Sequence, residues 1–240
     1  MRLLAGCLRP AVRLVLTHYL RRQARPHWDT RAVVPGPDPL RVLMFGAGLA
    51  VGYGGDGADD PFPAQVAAAF AEATGRGVLV EIRARPSVAL EHSVDLLGAA
   101  GAATFDHVVW SPTLEEAARG SARRWTGQLQ RIIQEVRASG PGHVRVTLLA
   151  LPLVDGDHVL QRVGRVLGRA VNGRIRDAAA LEGARFLPLP SRAVPDTGTP
   201  LFDTDYRTEV SGLLAQHLAD LRARARIEPA DRATLFTATP

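Results

Sequence analysis

The strongest constraint on the fold is a regular alternation of short apolar runs with stretches that carry apolar residues at helical spacing. Five runs have the length of buried strands: Val42–Phe45, Gly77–Arg83, Asp106–Trp110, Val144–Leu151 and Ala184–Leu189. Five helical patterns alternate with them: Pro63–Thr74, Val88–Leu97, Leu114–Ala138, His158–Leu181 and Tyr206–Arg226. Because each helix carries the chain back to the start of the next strand, the strands should run parallel. The alternation predicts an α/β protein with a five-stranded, parallel, doubly wound sheet.

Length and composition indicate the domain organisation. With 240 residues, 46% of them hydrophobic, the chain is long enough for one compact domain of ordinary size. We expect that domain over residues 41–226. Residues 1–25 form a basic amphipathic segment, residues 26–40 read as a linker rich in proline, and residues 227–240 read as a tail with little core-forming pattern.

The charge and the cysteine content limit the partners. All 29 basic residues are arginine, and the formal net charge of +5 is spread along the chain. Only 5% of residues are aromatic, so stacking platforms for bases are scarce, and we do not expect a nucleic-acid partner. The single Cys7 excludes an intramolecular disulfide and a cysteine-cluster metal site. We expect neither a cofactor nor a bound metal.

Residues 1–25 allow two interpretations. Arg2, Arg9 and Arg13 project to one side of a helix, and apolar side chains fall on the other. The segment is either an extra helix or tail beside the domain, or an interfacial helix that contacts anionic membranes weakly. Arg9, Pro10 and Arg13 interrupt any signal-peptide core, and no apolar run approaches the roughly 20 residues of a spanning helix. We expect a cytoplasmic protein with possible peripheral contact with a membrane.

The first strand opens onto a glycine-rich loop that has the shape of a ligand site. In open α/β sheets, ligands gather at the carboxyl ends of the strands. Here Gly46-Ala47-Gly48 follows the strand, but no Ser, Cys, Asp or Lys lies between Arg41 and Gly55. Gly46, Gly48 and Gly52 suggest, as one alternative, a dinucleotide loop. That chemistry needs a helix to begin within the glycines, whereas helix-forming sequence begins only near Ala64.

The same stretch resembles the opening of the SGNH/GDSL hydrolases, a superfamily of esterases and lipases. The matching residues are Gly46-Ala47-Gly48-Leu49-Ala50-Val51-Gly52-Tyr53-Gly54, followed by Pro61-Phe62-Pro63-Ala64-Gln65-Val66. Weaker matches continue through the third strand and the two long helices, so that the resemblance covers roughly residues 40–225. It implies a flavodoxin-like, three-layer α/β/α sandwich, in agreement with the alternation.

The resemblance also implies which residues should perform catalysis, and most of them are absent. The nucleophilic serine of the family falls on Gly48, and the aspartate before it falls on Ala47. The D-x-x-H-P turn falls on Asp205-Tyr206-Arg207-Thr208-Glu209, so Asp205 matches the acid and Thr208 replaces the histidine. A Ser–His–Asp hydrolase needs all three members.

The groups that would stabilise the oxyanion are missing as well. In the family they are the serine amide, a glycine amide and an asparagine side chain. Glu115 falls on the asparagine position, and Thr113 replaces the glycine of the same motif. Pro86-Ser87 falls where the oxyanion glycine is expected.

We therefore predict a catalytically degenerate pseudo-hydrolase that binds a small acyl or lipid-like ligand, or a protein partner. The binding residues implied by the resemblance are Gly46, Ala47, Gly48, Ser87, Thr113, Glu115 and Asp205. The first alternative is an active esterase or lipase in which Ser111 or Ser87 works with His158. The second is a nucleotide-binding protein that uses Gly46, Gly48 and Gly52. Ser87, Ser111 and Asp205 can also be read as helix caps.

Overall fold

A computed structural model describes residues 29–51, 62–85, 90–98, 101–112, 122–140, 144–155, 159–193 and 203–235. Its strands are β1 (Asp29–Val34), β2 (Leu40–Gly46), β3 (Val78–Ala84), β4 (His107–Ser111), β5 (Arg145–Leu149), β6 (Val154–Asp155), β7 (Arg185–Leu187) and β8 (Arg192–Ala193). Its α-helices are α1 (Phe62–Thr74), α2 (Ala122–Ser139), α3 (Val159–Leu181) and α4 (Thr204–Leu235). Two 3-10 segments span Gly48–Val51 and Leu90–Leu97.

The main sheet has six strands in the order β1-β3-β2-β4-β5-β7. All its pairs are parallel except β1–β3. The five parallel strands, renumbered along the chain, follow the order 2-1-3-4-5, which is the flavodoxin-like arrangement. This confirms the predicted α/β class and parallel core, and it corrects the strand count from five to six. The short strands β6 and β8 pair in a separate two-stranded sheet.

The prediction of a linker over residues 26–40 is wrong for residues 29–34 and 40, which lie in strands. Asp29–Val34 is an edge strand, antiparallel to β3 from Asp29↔Arg83 to Val34↔Val78. Pro35, Pro37 and Pro39 belong to the short connection that runs from β1 past the end of β3 to β2. There the Gly77 amide donates to the Pro37 carbonyl over 2.9 Å, and the Leu40 amide donates to the Gly77 carbonyl over 2.8 Å.

Helices cover both faces of the sheet and give it two cores. On one face, α1 and α4 pack over alternate residues of the central strands, such as Val42, Met44 and Val109. On the other face, α2 and α3 cover their neighbours, such as Leu43 and Trp110. Side chains of successive strand residues point to opposite faces, so each central strand contributes to both cores. The result is the predicted three-layer sandwich.

The predictions for the two ends of the chain have different outcomes. Helix α4 continues to Leu235, well past the predicted end at Arg226, so the expected tail begins as helix. Residues 1–25 lie outside the described residues, and the membrane contact expected of them stays a prediction. Over the described ranges, no helix is both long enough and apolar enough to cross a bilayer.

Candidate functional site

The candidate site lies where β2 and β4 end side by side. Their parallel pairing runs from Val42↔His107 to Gly46↔Ser111. In the order of the five parallel strands, this is the point at which the chain switches from one side of the sheet to the other. Ligands of open α/β sheets bind in the crevice at such a point. The sheet therefore places the glycine loop and Ser111 together, as the resemblance implies for the nucleophile loop.

Gly46 closes the strand in a conformation that requires glycine. Its φ is +114°, and a Cβ atom added to it would lie 2.4 Å from the Ser111 carbonyl oxygen. Two backbone hydrogen bonds hold the loop there: the Ala47 amide donates to the Ser111 carbonyl over 2.9 Å, and the Arg85 amide donates to the Gly46 carbonyl over 3.1 Å. Gly46 therefore has a structural role in the loop.

Gly48, at the position of the family nucleophile, is enclosed by backbone. Its φ is +57°, in the left-handed region that residues with a side chain rarely adopt. A Cβ atom at this position would lie 2.1 Å from the Pro112 carbonyl oxygen. Gly48 and its neighbours through Val51 are buried. The loop therefore has neither a nucleophilic side chain at this position nor room for one.

Ser111 carries the hydroxyl that the structure places nearest to this point. Its Oγ lies 3.4 Å from the Cβ position of Gly48. Ser111 is the last residue of β4 and is only 2% exposed. A nucleophile must be reached by its substrate and by a general base. Ser111 has the location of a substitute nucleophile but not the exposure.

The histidine on the same strand cannot act as its base. His107 begins β4 and Ser111 ends it, so the two residues lie at opposite ends of this strand. His107 Nε2 and Thr147 Oγ1 are 2.9 Å apart and form a hydrogen bond. Burial, helped by the nearby His217 and Arg145, lowers the pKa of His107 to about 3. His107 is therefore a neutral core residue.

The first turn of α4 approaches the site through Tyr206 and is capped by Asp203. Tyr206 is buried in the same core as Ala47 and Leu49, and its hydroxyl donates to the Pro190 carbonyl over 3.3 Å. The Asp203 carboxylate accepts a hydrogen bond from the Tyr206 amide over 3.0 Å, which is the geometry of an N-cap. The interpretation of Asp205 as the cap is therefore wrong: the helix begins one residue before it.

Asp205 and Thr208, at the acid and base positions of the family, are both exposed. Thr208 Oγ1 donates to the Thr204 carbonyl over 2.9 Å, and within the described part of the chain Asp205 makes no side-chain hydrogen bond. A triad acid must orient its base through a hydrogen bond. No such dyad is assembled here.

The sequence reasoning missed Arg207, whose side chain is buried between these two positions. It is 2% exposed and follows the same buried stripe as Val210, Ser211 and Leu214. Folded proteins bury a guanidinium only when its charge is compensated. The helical spacing of this stripe was the available signal, because it places position 207 on the face toward the sheet.

Several predicted site residues cannot be placed. Ser87, Thr113, Glu115, His158 and Gly52 lie outside the described residues, so their suggested roles stay predictions. Across the described ranges, no three His, Cys, Asp or Glu side chains form a group that could hold a metal ion.

The described geometry argues against the dinucleotide alternative. The residues directly after Gly46 form a single buried 3-10 turn, Gly48–Val51, and the next described α-helix begins at Phe62. A pyrophosphate site needs the free amides of an α-helix that begins within the glycines. The described part of the loop, Gly46–Val51, does not present them.

Comparison with known proteins supports the fold. No family model matches the sequence, and no curated protein matches it. Among solved structures, a carbohydrate esterase family 2 enzyme with its carbohydrate binding domain, from Corynascus thermopiles (Myceliophthora fergusii), aligns with a TM-score of 0.59 and 15% identity. That alignment covers 78% of this chain and 67% of the other.

Two further structures match with similar quality. The lipase/acylhydrolase from Enterococcus faecalis aligns with a TM-score of 0.56 and 15% identity, over 75% of this chain and 96% of the other. The aryl esterase of M. smegmatis gives 0.55 and 15%, over 76% and 99%. The chain has the fold of the SGNH/GDSL esterases and lipases, and at these identities the similarity concerns the fold alone.

Proposed function

We propose that this chain uses the SGNH hydrolase fold as a binding scaffold and does not hydrolyse esters. The observation that carries the proposal is the nucleophile position. Gly48 offers no nucleophile, and the Pro112 carbonyl occupies the space that a side chain would need. A covalent acyl-enzyme requires a hydroxyl or thiol at that point.

The rest of the machinery supports the same conclusion. Thr208 cannot accept and return a proton as an imidazole does, and its hydroxyl is bonded to the Thr204 carbonyl. Asp205, the one chemical residue that matches the family, is exposed and orients no base. Since the members of a triad act as a unit, an isolated acid contributes almost nothing to ester hydrolysis.

For the ligand, we propose a small acyl or lipid-like molecule, with a protein partner as the alternative occupant. The structures that align with this chain are an esterase of carbohydrates, a lipase/acylhydrolase and an aryl esterase. Each of the three is named an esterase or a lipase/acylhydrolase, and the names differ in the rest of the substrate. If this chain retains the binding face of that fold, the acyl group is the part of the ligand that it would recognise.

The test combines turnover and binding on the purified protein. We expect no hydrolysis of p-nitrophenyl acetate, butyrate or octanoate above the uncatalysed rate. We expect octanoate or the octanoate ester to raise the melting temperature, since a ligand at 100 times its Kd stabilises a protein by about 2.7 kcal/mol. Ester turnover that is retained after repurification and lost in a variant of this chain would overturn the proposal.

A second candidate function, an esterase that uses Ser111, rests on the position of its hydroxyl beside Gly48. The same assay separates the two. Ser111→Ala should leave background rates unchanged if the chain is a binding scaffold. If Ser111 is a nucleophile, wild-type turnover should fall by several orders of magnitude in Ser111→Ala, while Ser211→Ala, which removes a buried hydroxyl from α4, should have no such effect.

A further inference from the structure

Helix α3 carries an unusual concentration of positive charge. Val159–Leu181 contains five arginines, Arg162, Arg165, Arg169, Arg174 and Arg176, and a single acidic residue, Asp177. At about 100° per residue, all of these arginines except Arg174 project within an arc of roughly 60°. We call Arg162, Arg165, Arg169 and Arg176 the arginine stripe.

The stripe lies on the outer side of the helix. Leu167, Val171 and Ile175 are buried against the sheet and project to the other side. Arg162, Arg169 and Arg176 are exposed. From the first to the last arginine the stripe extends about 21 Å, at 1.5 Å per residue. Its length and straightness suit a flat, extended partner.

Two acidic side chains lie beside arginines of the stripe. Arg165 Nε lies 3.2 Å from Asp155 Oδ1. Arg176 Nε lies 3.9 Å from Asp177 Oδ1, and both of these side chains are more than two-thirds exposed. Exposed pairs of this kind are weak and are screened by salt. The outer face of α3 therefore keeps a positive potential that an anionic partner can use.

Apolar side chains flank the stripe. Three large hydrophobic residues are exposed in the described part of the chain: Val33, Val166 and Leu181. Two of them are on α3, where Val166 is 47% and Leu181 is 70% exposed. By helical geometry both project within about 100° of the stripe, on one flank of it. The outer face of α3 is thus cationic along one line and apolar beside it.

We propose that this face of α3 binds the surface of an anionic phospholipid bilayer, with the helix parallel to the membrane plane. Guanidinium groups pair with phosphate through two parallel hydrogen bonds, and the flanking Val166 and Leu181 can enter the headgroup region. A nucleic acid fits less well, because α3 carries no aromatic side chain on which bases could stack. The proposal is independent of the function of the candidate site.

The test is sedimentation of the full chain with vesicles of phosphatidylcholine containing 30% phosphatidylserine, and with phosphatidylcholine alone. The variant Arg169→Gln/Arg176→Gln removes two charges from the stripe. The control Arg131→Gln/Arg185→Gln removes two charges from exposed arginines on α2 and β7. Both variants change the formal net charge from +5 to +3, so a difference between them reports position and not total charge.

We expect the stripe variant to bind the anionic vesicles roughly 25-fold more weakly than the wild type. This follows from about 5-fold for each arginine near the surface, equivalent to about 1 kcal/mol. The control variant should lose several-fold less. Arg169→Lys/Arg176→Lys keeps both charges and should retain most of the binding. Val166→Ser/Leu181→Ser should weaken vesicle binding, whereas Val33→Ser on the edge strand should not.

Three results would overturn the proposal. The first is equal vesicle binding by the stripe variant and its control. The second is wild-type binding that ignores phosphatidylserine. The third is a loss of affinity for single-stranded RNA in the stripe variant without a loss for vesicles. Because residues 1–25 carry a separate expectation of vesicle binding, the comparison is repeated with Arg2, Arg9 and Arg13 changed to Gln, and the same ratio is expected.

Discussion

A side chain at Gly48 should destabilise the protein more than the same side chain would at a glycine with free space around it. Gly48 has φ +57°, and an L-residue in that conformation costs about 1–2 kcal/mol. The added Cβ would also lie 2.1 Å from the Pro112 carbonyl oxygen, well below the 3.0 Å limit that real Cβ atoms respect. Relieving this contact requires a backbone shift of about 1 Å.

The backbone around Gly48 resists such a shift. The amide of Ala47 donates to the carbonyl of Ser111, and Pro112 directly follows Ser111. Overpacking a tight site costs about 1–3 kcal/mol, and disturbing the hydrogen bond adds about 1 kcal/mol. We therefore expect Gly48→Ala to lower the free energy of unfolding by about 3–6 kcal/mol.

Two glycines in open space separate the causes. Gly75 has φ +63° and nothing within 4 Å of an added Cβ, so Gly75→Ala should cost only the conformational term, about 1 kcal/mol. Gly127 lies within α2, also in open space, so Gly127→Ala should be neutral or stabilising. Urea unfolding, followed by the fluorescence of the buried Trp110 and Trp125, measures all three variants.

A loss of stability in Gly48→Ala no greater than that in Gly75→Ala would contradict this prediction, because the enclosed position would then accommodate a side chain. The same comparison extends to function. Gly48→Ser with Thr208→His restores a Ser–His–Asp signature with Asp205, yet we expect slow turnover at best. The serine would displace its own loop, and each missing oxyanion donor costs about 10²–10³ in rate. Rapid ester turnover by this double variant would show that the oxyanion hole is intact.

Two further predictions concern pH and the start of α4. His107 has an unfolded pKa near 6.5 and a folded pKa of about 3, because burial and the charges of His217 and Arg145 disfavour its protonation. Its contribution to stability is complete above about pH 6.5 and is lost toward pH 3, at up to about 1.4 kcal/mol per pH unit. The free energy of unfolding, measured in urea between pH 7.5 and 4.5, should therefore fall more steeply for the wild type than for His107→Gln. Parallel curves for the two proteins would contradict this. Asp203→Ala should lower the free energy of unfolding by about 1 kcal/mol because the N-cap is lost, and Asp205→Ala should lower it by less than about 0.5 kcal/mol. The reverse order in thermal or urea unfolding would identify Asp205 as the N-cap.

The local sequence pattern was sufficient to predict the architecture, because the order of strands and helices follows from the short-range periodicity of apolar residues. The apolar runs and helical stripes predicted all five parallel strands and three α-helices between them, to within a few residues at their described ends. The helix predicted over Val88–Leu97 is instead a 3-10 segment, Leu90–Leu97. The absence of a serine at position 48 was also evident from the sequence, since a missing functional group needs no structure to be recognised. The glycine run after β2 predicted the site at the strand ends, because this run is also a local feature of the sequence.

Packing decided the features that depend on residues far apart in the chain. The edge strand Asp29–Val34 exists because β3 offers it an open edge, and its proline-rich turn hid that from local reading. The enclosure of Gly48 depends on Pro112, which reaches it only through the pairing of β2 with β4. The choice of Asp203 as the cap and of Arg207 as a buried residue depends on how α4 is rotated against the sheet. The sequence alone could therefore identify a hydrolase-like scaffold without its nucleophile, whereas only the tertiary structure could show that the vacant position has been filled by backbone.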